Sequence, residues 1–219
     1  MGGCEGGSCQ TGSCDSSDGC RLPPGMLREY DLDQSIAEGV LVWIETAGNG
    51  EQASVPSSSF KVLGEAAKLN DGRTIAVIFG DVELKPLYDE IFSHGADTIY
   101  HVKDKRLIEF HQEAYCESLA DISERIVPAT ILTASTEKGN RIVSRLAAML
   151  NVKYITDCIG IELSGRSLKV RDRSSNEIFF DGFPQIASMD QNILPEPSRE
   201  EGRKGTVIYR QYSGCSLQK

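Results

Sequence analysis

Residues Ala129 to Cys158 read ATILTASTEKGNRIVSRLAAMLNVKYITDC, and their order decides the fold. The run Ala129-Thr130-Ile131-Leu132-Thr133-Ala134 is short, apolar and β-branched, as a buried strand requires. Thr133, Ser135, Thr136 and Gly139 then supply turn chemistry. Ile142, Val143, Leu146, Ala147 and Leu150 recur at helical spacing over Gly139–Leu150, with Arg141 and Arg145 on an i,i+4 row. The chain returns as a strand over Tyr154–Ile161. Strand, tight turn, amphipathic helix and strand again make a βαβ unit, whose strands run parallel.

On the N-terminal side the same alternation repeats. Gly39–Glu45 (GVLVWIE) is nearly continuous in apolar side chains, the mark of a central strand covered on both faces. Ser59–Asn70 predicts a helix with Phe60, Leu63, Ala66 and Ala67 inward, Ser58 or Ser59 as N-cap and Gly72 just past its end. Thr74–Gly80 predicts a second strand, Pro86 to Phe92 a short helix stopping at His94-Gly95, and Thr98–Val102 a third strand. Phe110–Val127 predicts a longer helix ended by Pro128. On the C-terminal side, Ser167–Val170, Ile178–Phe180 and Gln185–Ser188 are short runs between Gly165, Ser174-Ser175-Asn176 and Asp181-Gly182. They predict an antiparallel extension at the sheet edge. Leu194–Lys219 reads as a docking tail with one strand at Thr206–Tyr209. The expected organisation is a segment 1–27, an α/β parallel-sheet domain over 36–195 with a small antiparallel extension, and a tail 196–219.

With 219 residues, 40% of them hydrophobic, the chain has material for one sizeable core. Lys and Arg number 23 against 32 Asp and Glu, a formal charge of −9 that argues against grip on a nucleic-acid backbone. No apolar run approaches the roughly 18 to 20 residues needed to span a bilayer, and Met1 leads into Gly, Cys and Ser without a basic or apolar leader region. The expectation is a cytoplasmic protein without membrane insertion.

Residues 1–25 hold seven Gly, four Cys and two Pro and almost no large apolar side chain, so they cannot offset their own ordering entropy. Cys4, Cys9, Cys14 and Cys20 are spaced C-x4-C-x4-C-x5-C among Gly, Ser and Asp. Thiolates are soft ligands, and a four-sulfur set suits an iron–sulfur cluster or zinc; the long intervening loops fit a [4Fe–4S] cubane better than one small ion. Zinc, or a redox-reactive segment without metal, remains open. Cys116, Cys158 and Cys215 are scattered, and His94, His101 and His111 show no i,i+4 pairing of a helical metal site. Asn49-Gly50 reads as ordinary turn chemistry. Asp81 with Glu83, and Glu196 with Glu200, read as solvated surface acids. G-x-S-x-G, P-loop and G-x-G-x-x-G signatures are missing, so no catalytic residues are expected.

The order of residues says more than any one motif. Pro128, Thr133, Gly139, Arg141, Arg145, Leu146, Ala147, Thr156 and Asp157 resemble the first domain of the electron transfer flavoprotein α-subunit. The resemblance extends back through Gly95-Ala96-Asp97, Leu63-Gly64-Glu65-Ala66 and the Trp43 strand, and forward to about Pro195. It implies an α/β layered domain of the adenine-nucleotide-hydrolase type, packing as a scaffold against a β-subunit-like flavoprotein or a flavin dehydrogenase in a hetero-oligomer. An α-subunit normally continues into a second, FAD-wrapping domain; the expectation is that this chain carries none, because only a short stretch follows Pro197. FAD is therefore expected in a partner or at the partner interface, with Thr133, Ser135, Gly139 and Arg141 as the cofactor-facing residues. Cys4, Cys9, Cys14 and Cys20 would be cluster ligands, and the chain an electron-transfer subunit. The rivals are a scaffold subunit with zinc or no metal in its tail, and a nucleotide-binding enzyme using the Thr133–Gly139 turn for ATP.

Overall fold

β1 (Val40–Trp43) is buried at every position, and its side chains alternate between two cores. Val40 and Val42, with Ile44 beyond the strand, enter one core; Leu41 and Trp43 enter the other. A strand covered on both faces has no use for a polar alternation, which is why the run reads as continuously apolar. The structure, a computed structural model, describes residues 30–48, 52–69, 72–81, 85–164, 166–180 and 182–214. Cys4, Cys9, Cys14, Cys20 and Cys215 and the Asn49-Gly50 turn lie outside the described residues.

From β1 the chain continues through α1 (Ser57–Lys68), β2 (Thr74–Gly80), α2 (Lys85–Ser93), β3 (Thr98–Lys103), α3 (Gln112–Ile126), β4 (Thr130–Ala134) and α4 (Glu137–Leu150). Then follow β5 (Tyr154–Cys158), β6 (Gly160–Ser164), β7 (Ser167–Arg171), β8 (Glu177–Phe179), β9 (Gln185–Met189) and β10 (Thr206–Gln211). Seven strands form one sheet in the order β10-β3-β2-β1-β4-β9-β5, every pairing parallel. β6, β7 and β8 form a separate antiparallel sheet. Phe60, Leu63 and Ala66 of α1 and Leu87, Ile91 and Phe92 of α2 pack on one face of the large sheet. Ala114, Leu119 and Ile122 of α3 and Ile142, Val143 and Leu146 of α4 pack on the other. The result is the three-layer α/β domain expected. Among the described residues, no helix is long and apolar enough to cross a membrane.

Three expectations are corrected. Gln185–Ser188 does not belong to the antiparallel extension: β9 is buried at all positions and lies between β4 and β5 in parallel register, Thr133 beside Ser188. The strand read as Tyr154–Ile161 is two strands. Between Ile155 and Cys158 the register against β9 slips, and Asp157 takes φ +58°, so the chain turns out of the large sheet into β6. Helix α1 starts at Ser57 after Pro56, with no side-chain cap. Ser59 Oγ instead accepts the Glu45 N–H at 3.0 Å, tying the end of β1 to the first turn of α1.

The strand read at Thr206–Tyr209 extends to Gln211 and pairs with Thr98–Lys103 of β3. Helix α3 ends as Pro128 demands. Val127, barred from the right-handed helical region by the following ring, takes φ +44°, and its N–H donates to Ser123 O.

Candidate functional site

The connections leave the central strands in opposite directions: β1 leads through α1 to β2 on one side, and β4 leads through α4 toward β9 and β5 on the other. In open parallel sheets the gap outside the carboxyl ends of two such strands is the usual place for a ligand. Here the β1 end contributes Glu45 and the β4 end contributes Ser135 and Thr136. Thr136 is the N-cap of α4, its Oγ1 accepting the Gly139 N–H at 2.9 Å. The same hydroxyl donates to Glu45 Oε2 at 2.9 Å, and Lys138 Nζ lies 3.3 Å from Glu45 Oε1. Glu45 thus reaches across the gap from the β1 side and is held on the α4 side.

A second polar group lies over β4, β9 and β5. Ser188 Oγ donates to Asn140 Oδ1 at 2.6 Å, and Ser135 Oγ donates to Asp157 Oδ1 at 2.8 Å. The Asp157 N–H points back at both hydroxyl oxygens, 3.1 Å from each. Each hydroxyl has one proton, so this loop uses both. The left-handed turn at Asp157 is what aims that N–H and its carboxylate at the same pair of serines. Above the loop, Arg173 from the β7–β8 connection bridges Asp190 Oδ2 at 2.9 Å and Asp157 Oδ1 at 3.5 Å, joining the small sheet to the carboxyl edge of the large one.

Asp190 is buried, and its carboxyl is held below the usual carboxylate range, first by the Asn192 backbone N–H and then by the Asn192 amide and Arg173. A depressed folded-state pKa contributes stability that is complete above the unfolded value, near 3.9, and is lost as pH falls through the folded one. Asp190→Asn should therefore lower the thermal midpoint at pH 6, with the gap to the parent narrowing as the pH is taken below about 4. A gap of constant size from pH 6 to pH 2.5 would show that the charge of Asp190 contributes nothing.

Of the residues expected to face a cofactor, Thr133, Ser135 and Gly139 gather at one turn. Thr133 is buried beside Ser188, and its Oγ1 has no hydrogen-bond partner. Gly139 packs so closely that a Cβ would lie 1.9 Å from Ala134 O. Arg141 turns to α3: its Nε donates to Gln112 Oε1 at 3.1 Å and its guanidinium lies 5.4 Å from the Phe110 ring centroid. Glu45, Asn140, Arg173, Ser188 and Asp190 were not singled out by sequence as site residues, and Asp157 only as part of a resemblance. The sequence signal available for the serines was weak: two small hydroxyl residues at the ends of apolar strands. Cys116 and Cys158 are buried, and burial pushes both thiols up to about 12, so neither is a thiolate near neutral pH. Among the described residues, no three His, Cys, Asp or Glu side chains are grouped to hold a metal ion.

Layering, sheet order and a polar site at the strand switch define a doubly wound α/β domain. The chain belongs to the electron transfer flavoprotein family: residues 44–212 match its model, described as "Electron transfer flavoprotein domain". It is 26% identical over 178 residues to the electron transfer flavoprotein subunit alpha of Thermoanaerobacterium thermosaccharolyticum, covering 76% of this chain and 53% of that protein. It is 26% identical over 170 residues to the FixB protein of Azorhizobium caulinodans, covering 72% and 46%. To the LctC subunit of the lactate dehydrogenase (NAD(+),ferredoxin) of Acetobacterium woodii it is 23% identical over 181 residues, covering 80% and 41%. The chain spans about half the length of the curated relatives it matches. The family name implies a flavin, whose pyrophosphate would need free hydrogen-bond donors in the switch gap. It does not fit, since Glu45 already takes the Thr136 proton and the nearby serine protons are spent within the protein.

Proposed function

We propose that the chain is an electron-transfer subunit of a flavoprotein complex. Its α/β domain would seat against a β-subunit-like flavoprotein or a flavin dehydrogenase, the partner holding the FAD. The observation that carries this reading is the family match over residues 44–212. In this proposal Cys4, Cys9, Cys14 and Cys20 ligate a [4Fe–4S] cluster, which would supply one-electron chemistry beside a flavin. The ligand set rests on the cysteine spacing alone, and a relative whose name includes ferredoxin is consistent with such traffic. Thr133, Ser135, Gly139 and Arg141 would shape the turn facing a partner-held flavin, without holding its phosphates. The domain's own contribution is to position redox groups and to set the electrostatics around them.

A second reading, a scaffold subunit with zinc or no metal in the tail, is favoured by the self-satisfied state of the switch residues. The hydroxyls of Ser135, Thr136 and Ser188 donate within the protein. The visible spectrum, iron and acid-labile sulfide of the full chain, purified without oxygen alone and with its native partners, separate the two. The electron-relay reading expects a broad brown absorbance that bleaches on reduction and is lost in Cys4→Ser and Cys14→Ser. A colourless, iron-free protein, even in the complex, leaves the scaffold.

A further inference from the structure

We infer that Glu45 is a built-in occupant of the strand-switch gap, and that its carboxylate keeps this domain closed to the phosphates of nucleotides and dinucleotides. The position is fixed by backbone at both sides. Ile44 N–H still donates to Val77 O at 2.9 Å, continuing the sheet, and Glu45 N–H donates to Ser59 Oγ at 3.0 Å. The side chain crosses the gap toward α4. There it meets the donors that an incoming phosphate would need. Thr136 Oγ1 gives its only proton to Glu45 Oε2 while its lone pair caps Gly139 N–H, and the Lys138 ammonium neutralises Oε1 at 3.3 Å.

A carboxylate at this place does what a bound phosphate does in nucleotide-binding sheets: it meets the positive end of α4 and a basic side chain. Its side chain is only 16% exposed, so it does not swing freely out of the way. A phosphate arriving beside it would be repelled and would find the hydroxyl already engaged. Glu45 thereby acts as a specificity residue. It separates a scaffold use of the fold from a nucleotide-binding one, and the distinction holds whether or not the tail carries a cluster.

The test is equilibrium binding of ADP and of inorganic pyrophosphate to the full chain, followed by calorimetry and by the fluorescence of Trp43, the single tryptophan, two residues before Glu45. The parent is expected to show no saturable binding of either. Glu45→Ala should gain saturable binding of both, at least about tenfold tighter than any residual affinity of the parent. Glu45→Gln, which keeps the shape and an acceptor for Thr136 without the charge, should gain less and guards against loss of fold. Adding Lys138→Ala to Glu45→Ala should remove the gain. The inference is overturned by saturable binding by the parent equal to that of the variants, or by variants with parental circular dichroism that remain as unresponsive as the parent. Binding of ADP alone, with no response to pyrophosphate, also counts against it, because the gap would then be reading the base.

Discussion

Gly139→Ala is expected to destabilise the domain by about 3–5 kcal/mol, although it replaces the second-worst helix former by the best. Gly139 lies in the first turn of α4, where propensity alone predicts a gain of about 1 kcal/mol. The added Cβ would sit 1.9 Å from Ala134 O and 3.1 Å from Ala134 C. Both are backbone atoms of β4, so no side-chain rotation relieves the contact. The turn would have to open, and with it go the Thr136 cap on Gly139 N–H and the Thr136 N–H bond to Ala134 O at 2.8 Å. Urea unfolding of the parent and the variant reads the difference directly. A stabilised variant, or a loss under about 1 kcal/mol, would mean that the β4–α4 turn yields far more easily than the close approach implies.

Leu146→Ala should cost about 3–5 kcal/mol by the separate route of leaving a cavity. Leu146 is wholly buried on α4, in the core that contains Ile131 of β4, Ile186 of β9 and Leu119 of α3. A site walled by two strands and a second helix cannot collapse easily, which puts the expectation toward the upper part of the usual range. The same urea experiment measures it, and a loss under about 1.5 kcal/mol would show that α4 relaxes toward the sheet. The two positions are seven residues, or about 10 Å, apart along the helix, so their effects should add to within about 0.5 kcal/mol. The sum is comparable to the whole stability of an ordinary domain, about 5–15 kcal/mol, and the double variant is expected to be largely unfolded at 25 °C.

The sequence makes β1 to β4 legible because each carries its reason locally. Val40–Trp43 and Thr130–Ala134 are continuously apolar because both faces are covered, and α4 shows its inward face in Ile142, Val143, Leu146 and Leu150. β9 is not legible locally because its place is set by topology. Gln185–Met189 is short and follows two antiparallel runs, and nothing local says that it slides between β4 and β5. Its one available clue was the unbroken small and apolar run Ile186-Ala187-Ser188-Met189, the pattern of a strand buried on both faces.

The site was half legible for a related reason. Thr133, Ser135 and Gly139 announce a strand-to-helix turn through their chemistry. Glu45 reads only as the polar end of a strand, and its partners Thr136 and Lys138 lie more than ninety residues away. Arg173 and Asp190 are invisible as a pair until the small sheet folds back. Arg141, placed by sequence with the turn residues, is turned to α3 by Gln112 and Phe110.

The insertion of β9 also dictates a timetable for the growing chain. β4 and β5 are close in sequence but never touch as neighbours, since the strand that joins them is synthesised after the entire β6–β8 excursion. While residues up to β8 have emerged, β4 offers one bare ladder of N–H and C=O groups and β5 has no partner in the large sheet. Only when Gln185–Met189 threads into that gap do both strands become paired at once. Non-local pairing of this kind raises the folding barrier; the outer β10–β3 pair is built from still later residues at the opposite edge, and the entry of β9 is a wedge driven into a waiting slot. Until that step is complete the nascent protein carries an open sheet edge in its middle, the feature that makes partly made chains aggregate.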